Sequence, residues 1–217
     1  MRGVQLSWKM PVLDKELDTV FNLSGGSRLF FYKDITLYQK EGVFQHEDGK
    51  EEKTYTYWIY KQNRKLGLKF EASVKDSLGI PFKVDSFLVK NAFTNFPFFS
   101  KDNDSIVFKR TIKSHEELLE KYVPKIKPDD SYPDTMIFRF SKNYTDIPFS
   151  YSHEMENERE KRLIEITGVY NPIKNPKYKA QLKGRKISFL MEKILVKDKK
   201  EKIAYFERFE KHISENP

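Results

Sequence analysis

The chain has no cysteine in its 217 residues. Disulfides, thiolate zinc sites and a cysteine nucleophile are thereby excluded. The absence leaves the compartment open. No run of about 18 apolar residues occurs, so no segment reads as a transmembrane helix. The start, Met1-Arg2-Gly3-Val4, has no apolar signal core and passes almost directly into the strand-like Val4–Met10. A mature domain without its leader and a cytosolic protein would both begin this way. No internal repeat of fixed period and no low-complexity tract is present. The four histidines, His46, His115, His153 and His212, show no metal-box spacing. No catalytic set and no cofactor motif stands out, so the expectation is no catalytic residue, no metal and no cofactor.

What is present is unusual in balance. Hydrophobic residues make up a low 38%, yet aromatics reach 15%. Disordered chains are poor in aromatics, so the chain reads as folded, with a core rich in Phe and Tyr. Its length allows a core without covalent staples. The net charge is +8 and the pI near 9.3. A basic surface favours polyanions, or simply keeps a Lys-rich protein soluble.

Alternation of period two runs along much of the sequence. It is clearest at Phe149–Glu158, where Phe149, Tyr151, His153 and Met155 fall on one side and Ser150, Ser152, Glu154, Glu156 and Glu158 on the other. Further strands are expected at Val4–Met10 (stopped by Pro11), Arg28–Tyr38, Tyr55–Lys61, Leu66–Ala72, Phe82–Val89, Thr135–Ser141, Arg162–Tyr170 and Lys186–Val196. Turns are expected at Ser24–Ser27 and Gln62–Lys65, and a hairpin loop at His46–Glu52. Ser114 and Glu117 have capping-box spacing before Leu118, Leu119 and Tyr122, which predicts a short helix near 114–122 closed by Pro124. Ile203, Phe206, Phe209 and Ile213 have helical spacing, which favours a C-terminal helix over a strand. The fold class is therefore mainly β (α+β): a curved antiparallel sheet or half-barrel in one domain over 1–217, with a helical and loop excursion at about 114–134.

Two constellations point to binding. Tyr55, Tyr57, Trp58 and Tyr60, with Phe93, Phe96, Phe98 and Phe99 in an irregular stretch around Pro97, suggest an apolar groove for a lipid, glycan or peptide. Core duty for the same rings is the competing reading. From Ile166 to Met191 there is no acidic residue, while Lys174, Lys177, Lys179, Lys183, Arg185 and Lys186 cluster with Tyr170 and Tyr178. That tract would suit nucleic acid or another anionic surface, or guard a strand edge. Glu154, Glu156, Glu158 and Glu160 read as a solvated face, and His153 as a core or edge histidine. A hydrolase whose carboxylates converge from distant strands is a third class.

Four stretches resemble the GLPGLI family of Bacteroidota envelope proteins: Ser27-Arg28-Leu29-Phe30-Phe31-Tyr32; Tyr57-Trp58-Ile59-Tyr60 followed by Lys65-Leu66-Gly67; Asp146-Ile147-Pro148-Phe149-Ser150-Tyr151-Ser152; and Lys161-Arg162-Leu163-Ile164-Glu165-Ile166. The string that names the family is absent. The resemblance implies a periplasmic or surface protein, mostly antiparallel β, of no established activity. A cytoplasmic location is the alternative. The leading expectation is a non-enzymatic binding or structural module with an aromatic-lined groove.

Overall fold

The computed structural model describes residues 1–14, 19–46, 50–71, 79–91, 106–127, 132–172 and 183–215. In chain order the elements are β1 (Arg2–Asp14), β2 (Thr19–Tyr32), β3 (Ile35–Gln45), β4 (Glu51–Tyr60), β5 (Leu66–Phe70), β6 (Ile80–Lys83), α1 (Val84–Asn91), β7 (Ile106–Lys113), β8 (Glu117–Pro124), β9 (Thr135–Ser141), α2 (His153–Arg159), β10 (Arg162–Tyr170), β11 (Arg185–Lys193) and α3 (Lys199–Glu215). The protein is mainly β with antiparallel pairing, as the alternation implies, and the C-terminal helix is present. No described helix is long and apolar enough to cross a membrane. The chain forms two compact units: residues 1–6, 26–93 and 192–217, and residues 7–25 and 94–191.

In the first unit the strands follow the order β6-β5-β4-β3-β2-β1. One face carries Phe30, Leu37, Ile59, Leu68 and Phe70 against Tyr205, Phe206 and Phe209 of α3. Lys202, Tyr205, Phe206 and Phe209 are the buried residues of α3 and stand at i, i+3, i+4 and i+7, the spacing of one helix stripe. The other face carries Tyr38, Trp58, Tyr60 and Phe82, gathered around Phe87 of α1 at ring distances of 5.4, 5.5, 5.5 and 5.1 Å. Burial on both faces explains why β2 reads Leu29-Phe30-Phe31 without alternation.

Two strand expectations in this unit need correction. Arg28–Tyr38 is not one strand: Lys33 adopts a left-handed φ of 53° and turns β2 into β3. Phe82–Val89 is not a strand either. β6 stops at Lys83, and α1 begins with Val84, whose N–H donates to the Lys65 carbonyl at 2.9 Å. Val84 and Phe87, three apart, are its buried residues.

In the second unit the order is β11-β10-β9-β8-β7. The helix expected near 114–122 is strand β8. Ser114 Oγ accepts from the Glu117 N–H at 2.9 Å, as a capping box would have it, but the Ser114 N–H also donates to the Glu117 carbonyl at 2.8 Å. The same contact therefore closes a two-residue hairpin, His115-Glu116, between β7 and β8. Leu118 and Glu120 then point inward with period two.

The most regular alternation in the sequence is a correction in the opposite sense. Phe149–Glu158 is not a strand, because α2 starts at His153. Ser152 Oγ accepts from the Met155 N–H at 3.4 Å, and Glu160 caps the end with φ 50°. Tyr151 and Met155, both buried, lie four apart, a spacing that periods of 2 and 3.6 both satisfy. His153 is exposed rather than on an apolar face. The expected turn at Ser24–Ser27 and the stop at Pro11 are also absent, since β2 and β1 run through them. Gly25 serves a different purpose: a Cβ there would stand 2.7 Å from the Trp8 indole.

Candidate ligand groove

In the first unit, pairing across β2, β3 and β4 sets Arg28, Gln39 and Tyr57 side by side in one row. Gln39 is the break in an inward series, two residues beyond the buried Leu37. Its Nε2 donates to the Tyr57 hydroxyl at 3.4 Å, while its buried Oε1 has no partner among the described residues. Arg28 donates through Nε to Gln5 Oε1 at 3.0 Å. The first turn of α3 lies above this row. The Lys202 ammonium stands 5.0 Å from the centre of the Tyr57 ring and 5.7 Å from that of Phe30. Tyr57 also stacks with Tyr205 at 4.6 Å.

These residues line a groove of about 760 Å³, together with Tyr55, the stretch Lys193–Leu195, Lys197, Asp198 and Glu201. The volume is that of a small-molecule site. Its walls are aromatic and its chemistry is basic: Arg28, Lys193, Lys197 and Lys202 face two carboxylates, Asp198 and Glu201. Burial, and then the charge of Glu201, push the Tyr57 hydroxyl above the usual phenol range, so it stays protonated at neutral pH.

The second unit holds a cavity of about 630 Å³ lined by Phe108, Thr111, Glu120, Tyr122, Glu158 and Arg159, among others. Its polar groups are tightly matched. Arg159 donates through Nε to Glu120 Oε2 at 2.8 Å and through Nη2 to the Tyr122 oxygen at 3.0 Å. Tyr122 in turn donates to Glu120 Oε2 at 2.6 Å. Arg159 Nη1 also reaches Glu158 Oε2 at 3.3 Å. Two carboxylates thus share one cavity, but the same guanidinium holds both. The arrangement braces α2 against β8.

The aromatic set expected to line one groove is divided. Tyr55 and Tyr57 line the groove on the α3 side, whereas Trp58 and Tyr60 lie on the opposite face in the rings around Phe87. Phe93, Phe96, Phe98 and Phe99 lie outside the described residues. So do Lys174, Lys177 and Lys179 of the basic tract. Lys183 and Lys186 are exposed, and Arg185 stacks on Tyr170 at 4.6 Å. Glu156 is not part of a solvated face. It is buried, and its carboxylate accepts from Arg162 and from the Leu163 N–H. Among the described residues, no three His, Asp or Glu side chains converge as a metal site.

Gln39, Lys202 and the Glu120–Tyr122–Arg159 set were not singled out from sequence. For Lys202 a signal exists, because a lysine takes the first position of the stripe completed by Tyr205, Phe206 and Phe209. Glu120 and Arg159 are 39 residues apart, and no local pattern joins them. The chain matches no protein-family model and no curated protein.

Proposed function

We propose that the chain is a non-enzymatic binding module, and that the groove over Arg28, Gln39 and Tyr57 holds a small organic ligand. The observation that carries this reading is the meeting, in one concavity, of aromatic walls with two buried polar groups whose bonding capacity is only partly spent among the described residues: the Gln39 amide and the Lys202 ammonium. Buried polar groups are normally satisfied, as Glu120, Tyr122 and Arg159 are in the second cavity. A cell-envelope setting belongs to the same proposal and rests on the GLPGLI resemblance.

Native mass spectrometry of the purified protein and ligand-observed NMR with a small-molecule library test it. The expected result is binding that Tyr57→Ala weakens strongly and Glu120→Gln leaves unchanged. Binding indifferent to Tyr57→Ala would overturn the assignment of the site. Turnover of an ester or glycoside that depends on Glu120 would favour the hydrolase class. Retention on heparin that is lost with Lys183 and Lys186 would favour the polyanion class.

A further inference from the structure

We infer that the groove receives the carboxylate end of an amphipathic organic acid, with Lys202 as the residue that holds it. This rests on the binding reading above and narrows it to a ligand class.

The argument starts from how the protein treats buried charge. An ion removed from water needs close, well-directed partners. Glu156 has Arg162 and the Leu163 N–H. Glu120 has Arg159 and Tyr122, at 2.8 and 2.6 Å. Lys202 departs from this pattern. Its side chain is 8% exposed, and its ion-pair partner is Glu201 at 3.4 Å, itself 44% exposed. Beyond that it rests on two ring faces, which attract a cation without taking up its three N–H donors. An anion in the groove would complete the shell.

The surroundings narrow the anion to a carboxylate. A phosphate monoester carries up to two charges and calls for several converging cations. Here Lys202 is the one buried cation of the lining; Arg28, Lys193 and Lys197 are exposed and keep their hydration, and one Arg28 donor, the Nε–H, is given to Gln5. Gln39 supplies the second contact. Turned over, its amide accepts the Tyr57 hydroxyl through Oε1 and leaves Nε2 as a donor for a carboxylate oxygen. The ligand body has apolar surface to follow: Phe30, Tyr55, Ile194 and the largely exposed Leu195 on the lining.

The test is calorimetric titration of the full chain with two matched pairs, octanoate with octanamide and naphthoate with naphthamide, and with octyl phosphate. Each carboxylate is expected to bind about tenfold or more tightly than its amide. Lys202→Met, which keeps the apolar stem, should bring the carboxylates to the level of the amides and leave the amides unchanged. Octyl phosphate should bind no tighter than octanoate. Equal binding of acid and amide to the unmutated protein would overturn the carboxylate inference and leave the binding module standing. Tighter binding of the phosphate would overturn the choice of anion. Failure of both acids and both amides to bind would overturn the inference and the binding reading together. The comparison of acid with amide needs no variant, so it stands even if Lys202→Met does not fold.

Discussion

Arg159 on α2 donates through Nε to Glu120 Oε2 on β8 at 2.8 Å, with both side chains largely buried. Its guanidinium also lies over the Phe140 ring at 5.0 Å, so packing and charge act on the same residue. Replacing Arg159 by Met leaves Glu120 with the Tyr122 hydroxyl and removes its ion-pair partner. Breaking a buried pair costs more than the pair contributes, because the remaining ion keeps its desolvation penalty. We expect Arg159→Met to lower stability by about 2–3 kcal/mol, and the double variant with Glu120→Met to lose less than the sum of the two singles. Urea unfolding of all three variants checks this, and additive losses would show that the two residues act independently.

Tyr122 links the same group to pH. Burial pushes its hydroxyl up to about 12, and its bond to Glu120 adds to the effect. Because the folded state holds this proton more tightly than the unfolded chain, the contribution to stability is complete below about pH 10. It is lost as pH rises towards 12. Tyr122→Phe removes a titrating group, so the fall in stability between pH 10 and 12 should become shallower by one proton's slope. An unchanged slope in equilibrium unfolding across that range would place the alkaline transition on other tyrosines. Tyr60 and Tyr151, both raised by burial, are the residues to examine next.

Asp134 governs the opposite limb. Burial opposes its ionisation, but the Asn171 N–H at 2.7 Å and the Lys127 ammonium at 3.1 Å win, and its carboxyl is held below the usual range. A lowered folded value means that the stabilisation is present above about pH 4 and is lost as pH falls below it. Asp134→Ala should therefore destabilise the protein at pH 7 and flatten its acid unfolding profile. A profile that keeps its full steepness would show that Asp134 contributes nothing to the acid transition.

The strand-rich fold was legible because most strands alternate and their turns are polar. The misreadings at 114–122 and 149–158 share a cause: short patterns that satisfy two periods. Leu118, Leu119 and Tyr122 fit one helix face, yet Leu118, Glu120 and Tyr122 fit one strand face, and only the partner strands β7 and β9 decide between them. Tyr151 and Met155 pose the reverse problem, and the Ser152 cap decides it. The candidate groove was legible only through Tyr55 and Tyr57. Gln39 and Lys202 interrupt apolar series, and an interruption shows itself only once the rest of the face is known to be buried. The brace from Glu120 to Arg159 depends on a contact distant in sequence, which no local pattern carries.

The last prediction concerns Gly67, where cross-strand pairing sets Phe82 opposite it. A Cβ at this position would stand 2.6 Å from the Ile59 carbonyl oxygen and 2.6 Å from the Phe82 ring. The ring has little room to retreat, because it packs edge-on against Phe87 at 5.1 Å and Tyr60 at 6.5 Å. The carbonyl belongs to β4, whose neighbouring residues carry the floor of the groove on the other face. Gly67→Ala should therefore cost about 1–3 kcal/mol through overpacking, and should also disturb the NMR signals of Tyr57 across the sheet. Gly25→Ala, whose close contact is the half-buried Trp8 side chain rather than backbone, should cost less. Chemical denaturation of the two variants side by side tests the ranking. A larger loss at Gly25 would mean that the sheet gives way around Gly67 more readily than its packing implies.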